Sequence, residues 1–286
     1  MSGPNERRPY EFSFLFMTNR QEVALEAEDA GAGWIFIDLE RLGKVERQRG
    51  RQTIISDHSL ADAADIRKRL SRSRLLIRVN PSNANTRDEV QGALDAGADA
   101  VMLPMLTKPE EVEDFVAFVD GRATTWLLLE TAAAVVRAPE ILRVPGVDRV
   151  HVGLNDLHLS LGLNFMHESL AGGWVDHVAS LATRVAPAAI FGFGGGARVS
   201  EQHPVAPSDI LCEHVRMGSH AVILSRTFHK DAASVAELRE RMNLADEIRQ
   251  IRAVLDQAAR RSVDEAERDR ARIHETIWRV ARRLRG

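Results

Sequence analysis

The sequence between residues 75 and 154 repeats one unit, a short apolar run followed by a polar stretch with helical spacing. The runs read LLIRVN (75–80), AVMLPM (100–105), WLLLET (126–131) and VHVGL (150–154). Four similar runs flank them, at residues 12–18, 34–39, 190–194 and 221–226. Most are continuous rather than alternating in polarity, which is typical of strands that a parallel sheet buries on both faces. Eight such runs separated by helices predict an α/β fold, a (β/α)8 TIM barrel, with a doubly wound open sheet as the alternative.

The residues after the eighth run have a different composition, which predicts a boundary near residue 230. We expect residues 1–230 to form the barrel and residues 231–286, which are dense in Arg, Asp and Glu, to form additional C-terminal helices. Four aliphatic residues share one face of the last helix, namely Ile273, Ile277, Val280 and Leu284. Such a stripe has to be buried on its own barrel or on a neighbouring subunit, and we expect the second arrangement, a homo-oligomer.

Composition narrows the classes of function. The 286 residues are 44% hydrophobic and 28% charged, an ordinary globular mixture. The single cysteine, Cys212, excludes a disulfide framework and a cysteine-based zinc site. The formal net charge of −3 gives no chain-wide basic field, so we expect no nucleic-acid partner. No apolar run is long enough to span a membrane and no secretory signal is recognisable, so we expect no membrane partner and a cytoplasmic location.

Charged residues close several apolar runs, at the end of a barrel where active sites gather. Glu130 ends LLLE and Asp156 ends VHVGLND, and the fifth and sixth strands of a barrel are neighbours. Two carboxylates, completed by water and substrate oxygens, suit Mg²⁺ or Mn²⁺. In the alternative interpretation, Glu130 pairs with a basic neighbour and Asp156 caps the following helix.

Three further groups are candidates for the site. Arg78 ends LLIR, where a guanidinium can hold a carboxylate, stabilise an oxyanion, or pair with Asp38 or Glu40 from the neighbouring strand. His58 lies in the long segment after the second run, a common place for a catalytic base. The glycines of residues 192–196 fit a turn or a close approach to a ligand better than a dinucleotide fingerprint, and a phosphate cradle is the remaining alternative.

Four motifs together resemble the HpcH/HpaI aldolase and citrate lyase β-subunit family: LIRVN (76–80), GADAVMLPM (97–105), LLLET (127–131) and VHVGLNDLHLSLG (150–162). The resemblance implies a (β/α)8 barrel that forms or cleaves carbon–carbon bonds beside a 2-oxoacid or an acyl-thioester enolate, with Mg²⁺ or Mn²⁺. By position, it implies that Glu130 and Asp156 bind the metal and that Arg78 stabilises the oxyanion. It also implies that the backbone of Leu154 and Asn155 helps to hold the substrate carboxylate.

One position departs from the family pattern. Where aldolases of this type carry an acid followed closely by a catalytic histidine, D-x-E-H, this chain has Asp38-Leu39-Glu40-Arg41. The proton transfer is therefore left to His58, Glu40 or a metal-bound water.

The sequence thus predicts a metal-dependent carbon–carbon lyase of the aldolase type, with a 2-oxoacid or a related hydroxy acid as its small-molecule substrate and an enolate as its intermediate. Two alternatives stay open. One is a condensing enzyme that joins an acyl group to a 2-oxoacid, and the other is a catalytically inactive barrel that binds or regulates.

Overall fold

In a computed structural model of the chain, the described residues are 10–43 and 57–285. Eight strands in this part of the chain form one sheet in which every pairing is parallel. They are β1 (Ser13–Met17), β2 (Trp34–Asp38), β3 (Arg74–Arg78), β4 (Ala100–Leu103), β5 (Thr124–Leu129), β6 (Arg149–Val152), β7 (Ile190–Phe193) and β8 (Ala221–Leu224). Each strand lies beside its predecessor, and β8 returns to β1. A bridge between Gly195 and Ile223 brings β7 to β8, so the predicted (β/α)8 barrel is confirmed.

Helices connect the strands and cover the sheet. They are α1 (Gln21–Asp29), α2 (Leu60–Arg69), α3 (Thr86–Asp95), α4 (Pro109–Val119), α5 (Ala132–Val136), α6 (Ala138–Ile141), α7 (Leu154–Ser160), α8 (Glu168–Ala171), α9 (Trp174–Val185) and α10 (Pro207–Arg216). The two Ala-Gly-Ala segments end α1 and α3 in the same way. Gly31 and Gly97 have φ values of 96° and 86°, a left-handed conformation that glycine adopts without strain. The chain can therefore turn directly from helix to strand.

Two buried clusters divide the core. The smaller one lies inside the barrel and is built from side chains of β1 to β5 and β8, with Trp34, Phe36, Leu76, Trp126 and Leu128 among its members. The larger one lies between the sheet and the helices. The barrel interior is therefore filled with side chains, as is usual for this fold, and ligands have access to its ends.

The C-terminal helices pack on the same barrel. They are α11 (Val235–Arg241), α12 (Leu244–Ala258) and α13 (Val263–Arg285). Helix α12 packs against α10 and α1, and so occupies the place of the helix that completes the ring. Helix α13 packs outside it, against α8 and α10.

The expectation that a neighbouring subunit covers the stripe on the last helix needs correction. Ile273 and Ile277 are fully buried within the single chain, and Val280 is half-buried. Leu284 alone of the four is exposed, by 59%. The barrel of the same chain therefore buries most of this stripe. The homo-oligomer stays a prediction, and the apolar stripe no longer supports it.

Candidate active site

Three charged side chains continue the inward-facing rows of the barrel. Side chains alternate between the two faces of a strand, so every second residue points inward. Two residues beyond the interior side chains of β2, β3 and β5 stand Asp38, Arg78 and Glu130. All three are buried, with residue exposures of 0%, 8% and 3%. Strand periodicity thus places an acid, an arginine and a second acid at the carboxyl-terminal mouth.

Arg78 is held by two carboxylates. Its Nε donates to Asp38 Oδ1 at 2.9 Å, and its Nη2 lies 3.2 Å from Glu40 Oε2. Burial acts to lower the pKa of Arg78, but the charges of Asp38 and Glu40 outweigh it and raise this pKa above its ordinary value. The ion pair between Arg78 and the acids after β2, which the sequence left open, is therefore present. A guanidinium has five N–H donors, and these two contacts leave others for a ligand.

His58 is buried beside the end of β2. Its Nδ1 accepts a hydrogen bond from the backbone N–H of Asp38 at 2.9 Å. Burial lowers the pKa of His58 to about 4, and the attraction of Asp38 only partly offsets it. The imidazole is therefore neutral at pH 7 and carries its hydrogen on Nε2. In this arrangement His58 offers a donor, while the lone pair that a base needs is engaged.

Glu130 faces other carboxylates. Burial raises the pKa of Glu130 well above its ordinary value, and the charges of Asp156 and Glu40 raise it further. Arg78 and the backbone N–H of Met105, which donates to Glu130 Oε1 at 3.2 Å, act in the opposite direction. Asp156 lies in the first turn of α7, and the residue at the start of that helix is Gly153, with no side-chain cap. Asp156 is therefore not the N-terminal cap of α7, and the basic neighbour that acts on Glu130 is Arg78.

Two backbone features that sequence reasoning missed lie against Glu130. A Cβ added to Gly153 would stand 2.6 Å from Glu130 Oε2 and 2.9 Å from Glu130 Cβ, closer than real contacts allow. Met105 has a φ of 52°, a left-handed conformation that costs a non-glycine residue about 1 kcal/mol. In the sequence, Gly153 stands out only by its place in VHVGLND, and Met105 only by its place in AVMLPM.

Of the remaining predicted residues, Leu154 and Asn155 directly follow Gly153. Leu154 is buried and Asn155 is exposed, and both precede Asp156 in the first turn of α7, where a helix leaves its backbone N–H groups unused. The glycines of residues 192–196 have packing roles. A Cβ on Gly192 would lie 2.7 Å from His151 Nδ1, and one on Gly196 would lie 2.7 Å from Leu224 Cδ2.

A cleft of about 220 Å³ opens beside His58 at the same end of the barrel. Its lining residues are Thr18, Asn19, Arg20, Asp57, His58, Arg226, Asp231 and Ala232. Arg226 follows β8, and its Nη2 lies 4.0 Å from Asp38 Oδ2. The cleft is therefore polar and joins the Asp38–Arg78 pair through Arg226 and His58.

The donor set fits a hard divalent cation. Glu130 and Asp156 offer carboxylate oxygens, the ligands that Mg²⁺ and Mn²⁺ prefer. Across residues 10–43 and 57–285, no three His, Cys, Asp or Glu side chains are grouped so as to hold a metal ion. In the same residues, no helix has both the length and the apolar character needed to cross a bilayer.

A parallel (β/α)8 barrel with acids and an arginine at its carboxyl-terminal mouth defines a broad class of α/β-barrel proteins. Within that class, the family model of HpcH/HpaI aldolase/citrate lyase matches residues 13–171, more than half of the sequence. The chain belongs to this family, as the sequence motifs predict.

Similar proteins fall in the same group. A (3S)-malyl-CoA thioesterase of Cereibacter sphaeroides is 28% identical over 162 residues, which are 56% of this chain and 54% of that protein. The chain thus spans about half the length of the curated relatives it matches. An HpcH/HpaI aldolase/citrate lyase family protein from Burkholderia cenocepacia has a similar structure, with a TM-score of 0.61 and 18% identity over 84% of this chain and 95% of that one. The citrate lyase β subunit of M. tuberculosis, complexed with oxaloacetate and magnesium, has a TM-score of 0.58 and 17% identity over 88% and 98%.

Proposed function

We propose that the chain is a metal-dependent carbon–carbon lyase of the aldolase type, acting on a 2-oxoacid or a related hydroxy acid through an enolate. The observation that carries the proposal is the mutually repelling pair of the buried Glu130 and the half-buried Asp156, close to the charged Arg78. Membership of the aldolase/citrate lyase family supports the reaction type.

Glu130 and Asp156 are the residues that would hold Mg²⁺ or Mn²⁺. Burial first, and then the repulsion from Asp156 and Glu40, raise the pKa of Glu130, and a divalent cation would offset both effects. When bound, the cation supplies Lewis-acid polarisation of the carbonyl that becomes the enolate. The magnesium in the citrate lyase β subunit, a protein of the same fold, agrees with this choice of ion.

Arg78 supplies the second stabilising charge. Its guanidinium is fixed by Asp38 and Glu40, so it needs no reorganisation when negative charge develops on the substrate oxygen. A preorganised donor of this kind contributes about 3 kcal/mol to the transition state. The backbone of Leu154 and Asn155 is assigned to the substrate carboxylate.

The proton acceptor is His58, Glu40 or a metal-bound water, and the surroundings of the two side chains can be compared. Glu40 is buried, acts as an acceptor only when ionised, and lies against Arg78. His58 serves as a base only if its Nδ1 leaves the Asp38 N–H. The geometry therefore favours Glu40 as the base, with His58 donating from Nε2 toward the cleft where the distal half of the substrate would lie.

Exchange of pyruvate methyl protons with deuterium tests the proposal without knowledge of the distal half. We expect exchange, followed by NMR, that requires Mg²⁺ or Mn²⁺ and is lost in Glu130→Gln and Asp156→Asn. Titration calorimetry should show lost Mn²⁺ binding in both variants. Glu110→Gln, an exposed residue of α4, is the matched control and should behave like the wild type. Unchanged Mn²⁺ affinity in both site variants would overturn the assignment of the metal ligands. A wild-type protein that binds the metal but does not exchange the protons would overturn the proposed enolate intermediate.

A second candidate is suggested by the curated relatives, which are named (3S)-malyl-CoA thioesterases. Thioester hydrolysis releases a free thiol, whereas carbon–carbon cleavage leaves the thioester intact. A thiol assay with a hydroxyacyl-CoA substrate, run beside an assay for the released oxoacid, therefore separates the two activities. Thiol release without oxoacid would favour the thioesterase.

A further inference from the structure

Two arginines and two indoles form a cluster at the amino-terminal end of the barrel, opposite to the candidate active site. Trp34 lies beside Arg74 in the register of β2 and β3, and Trp126 lies beside Arg149 in that of β5 and β6. The indoles meet edge to face with 5.5 Å between ring centroids. Arg149 Cζ is 5.2 Å from the centroid of Trp34 and 4.9 Å from that of Trp126. Arg74 Cζ is 5.5 Å from the centroid of Trp34. These four residues are the amino-terminal cluster.

The cluster carries two positive charges that form no ion pair with any acid among the described residues. In the described part of the chain, neither guanidinium takes part in a salt bridge. Asp148 is the nearby acid that favours charged Arg149, but Asp148 Oδ2 accepts from the N–H and the hydroxyl of Thr125 at 2.8 and 3.0 Å. Burial lowers the pKa of Arg149, and the like charge of Arg74 lowers it further. Among the described residues, the two guanidiniums thus contact the faces of indoles, and the nearest acid, Asp148, is bonded to Thr125.

The same cluster contains two buried donors without acceptors. Arg149 Nη1 and Trp126 Nε1 are inaccessible to solvent and have no hydrogen-bond partner within the described residues. Cation–π contacts of roughly 1 kcal/mol each help to hold Arg149, but an indole face does not satisfy a buried N–H. Such groups cost free energy, so what the cluster lacks is a negatively charged acceptor. Arg74 is exposed and Arg149 is half-buried, so an anion can approach the solvent-facing N–H groups of the two guanidiniums, whereas the two buried donors stay out of its reach until these side chains move.

We propose that the amino-terminal cluster binds a tetrahedral oxyanion of the phosphate type, either free phosphate or a phosphomonoester. Two guanidiniums offer several N–H groups at different angles, which match the oxygens and the double charge of phosphate better than one carboxylate. The site lies at the far end of the barrel from Glu130, so it does not depend on the proposed lyase activity.

Titration with inorganic phosphate tests the site. Calorimetry at constant ionic strength, with chloride as the exchanged ion, should show saturable binding to the wild-type protein. We expect a Kd at least tenfold weaker in Arg74→Gln and in Arg149→Gln. The control is Arg282→Gln, an exposed residue of α13 with the same change in charge, whose Kd should equal that of the wild type. A parallel titration with glycerol phosphate distinguishes the two sources, because tighter binding than inorganic phosphate assigns the site to a phosphomonoester.

Thermal unfolding gives a second readout that does not depend on ligand affinity. In phosphate-free buffer, Arg74→Gln should unfold at or above the wild-type Tm, because the variant removes a repulsion and opens no core. Added phosphate should then raise the wild-type Tm more than that of the variant. The proposal is overturned if the wild type shows no saturable binding, if Arg74→Gln binds as tightly as the control, or if chloride raises the Tm as much as phosphate. Should Arg149→Gln fail to fold, Arg74→Gln is sufficient, because its side chain lies at the rim.

Discussion

Asp38 is the residue around which the carboxyl-terminal mouth is organised. Its Oδ1 accepts from Arg78 Nε at 2.9 Å and from the backbone N–H of Glu40 at 3.2 Å. Its own backbone N–H donates to His58 Nδ1, and Arg226 approaches its other oxygen. One fully buried carboxylate thus orients the arginine and the loop that follows β2. Its role is to position these groups, and the chemistry that we propose belongs to the residues that it holds.

Gly153→Ala should disturb the candidate metal ligands without disturbing the fold. The added methyl group would displace Glu130, and misplacement of a ligand by about 1 Å costs on the order of 100-fold in rate. We therefore expect a rate of pyruvate exchange reduced at least tenfold and a weakened affinity for Mn²⁺. Gly33→Ala is the control, since a Cβ there meets no atom within 4 Å. Equal rates in the two variants would contradict the assigned position of Glu130.

Arg78→Lys should keep the charge and lose the planar fork. Lysine cannot contact Asp38 and Glu40 and still present N–H groups in the same plane to an oxyanion. We expect the rate of pyruvate exchange to fall by roughly tenfold or more, equivalent to at least about 1.4 kcal/mol of transition-state stabilisation. Steady-state rates of pyruvate exchange measure this loss, and circular dichroism checks that the variant is folded. A wild-type rate in the variant would assign Arg78 a structural role only.

At the scale of elements, α13 shows how the surplus helix is fixed to the barrel. Glu213 of α10 contacts Arg216 in the same helix and His274 of α13, and Arg216 reaches Asp176 of α9 at 2.7 Å. Burial alone would raise the pKa of Glu213, but hydrogen bonds from His274 and Arg216 lower it to about 2. The Glu213 carboxylate therefore stays ionised. Through Arg216 and His274 it links the helices α9, α10 and α13.

Ile277→Ala and Leu284→Ala separate burial on the barrel from burial on another subunit. Ile277 is fully buried inside the chain, so its truncation should cost about 3 kcal/mol in the free energy of unfolding, measured with urea. Leu284 is 59% exposed, and its truncation should cost less than about 0.5 kcal/mol. A large cost at Leu284 that depends on protein concentration would instead show that an oligomer covers the end of α13.

At the scale of the whole molecule, the chain closes its barrel and covers its own last helix. This arrangement leaves the predicted homo-oligomer and the cytoplasmic location as expectations. Buried histidines are a second global feature. Burial lowers the pKa of His58, His151 and His167 to about 4, and it also lowers the pKa of His214 and His229.

These histidines should make the fold sensitive to mild acid. An unfolded histidine takes up a proton below about pH 6.5, whereas the folded ones with a pKa of about 4 do not. Stability contributed by each is therefore complete above pH 6.5 and falls as the pH drops toward 4, by up to about 1.4 kcal/mol per pH unit and histidine. Urea unfolding at pH 7, 6 and 5 measures the slope. In His151→Gln, the number of protons taken up on unfolding, which sets this slope, should be lower by about one. An unchanged slope would mean that His151 is protonated in the folded state.

The eight strands, their parallel arrangement and the place of the candidate site could all be predicted from the sequence. Continuous apolar runs are typical of strands buried on both faces, and several of these runs continue with polar residues at the carboxyl end. Pairing of Arg78 with Asp38 or Glu40 was one possibility that the sequence left open, because neighbouring strands end at one mouth, and the structure has both contacts. These features are local, so a short window of sequence contains the information.

Tertiary structure alone decided the contacts between segments that are distant in the chain. The engagement of His58 Nδ1 by Asp38, the closeness of Gly153 to Glu130 and the burial of Ile277 on the barrel all depend on how helices and strands pack. A residue pattern states that a face is apolar but does not state what covers it. The two arginines at the other end of the barrel are another contact that the sequence does not reveal, because only the closed sheet brings Arg74 and Arg149 to the indole of Trp34.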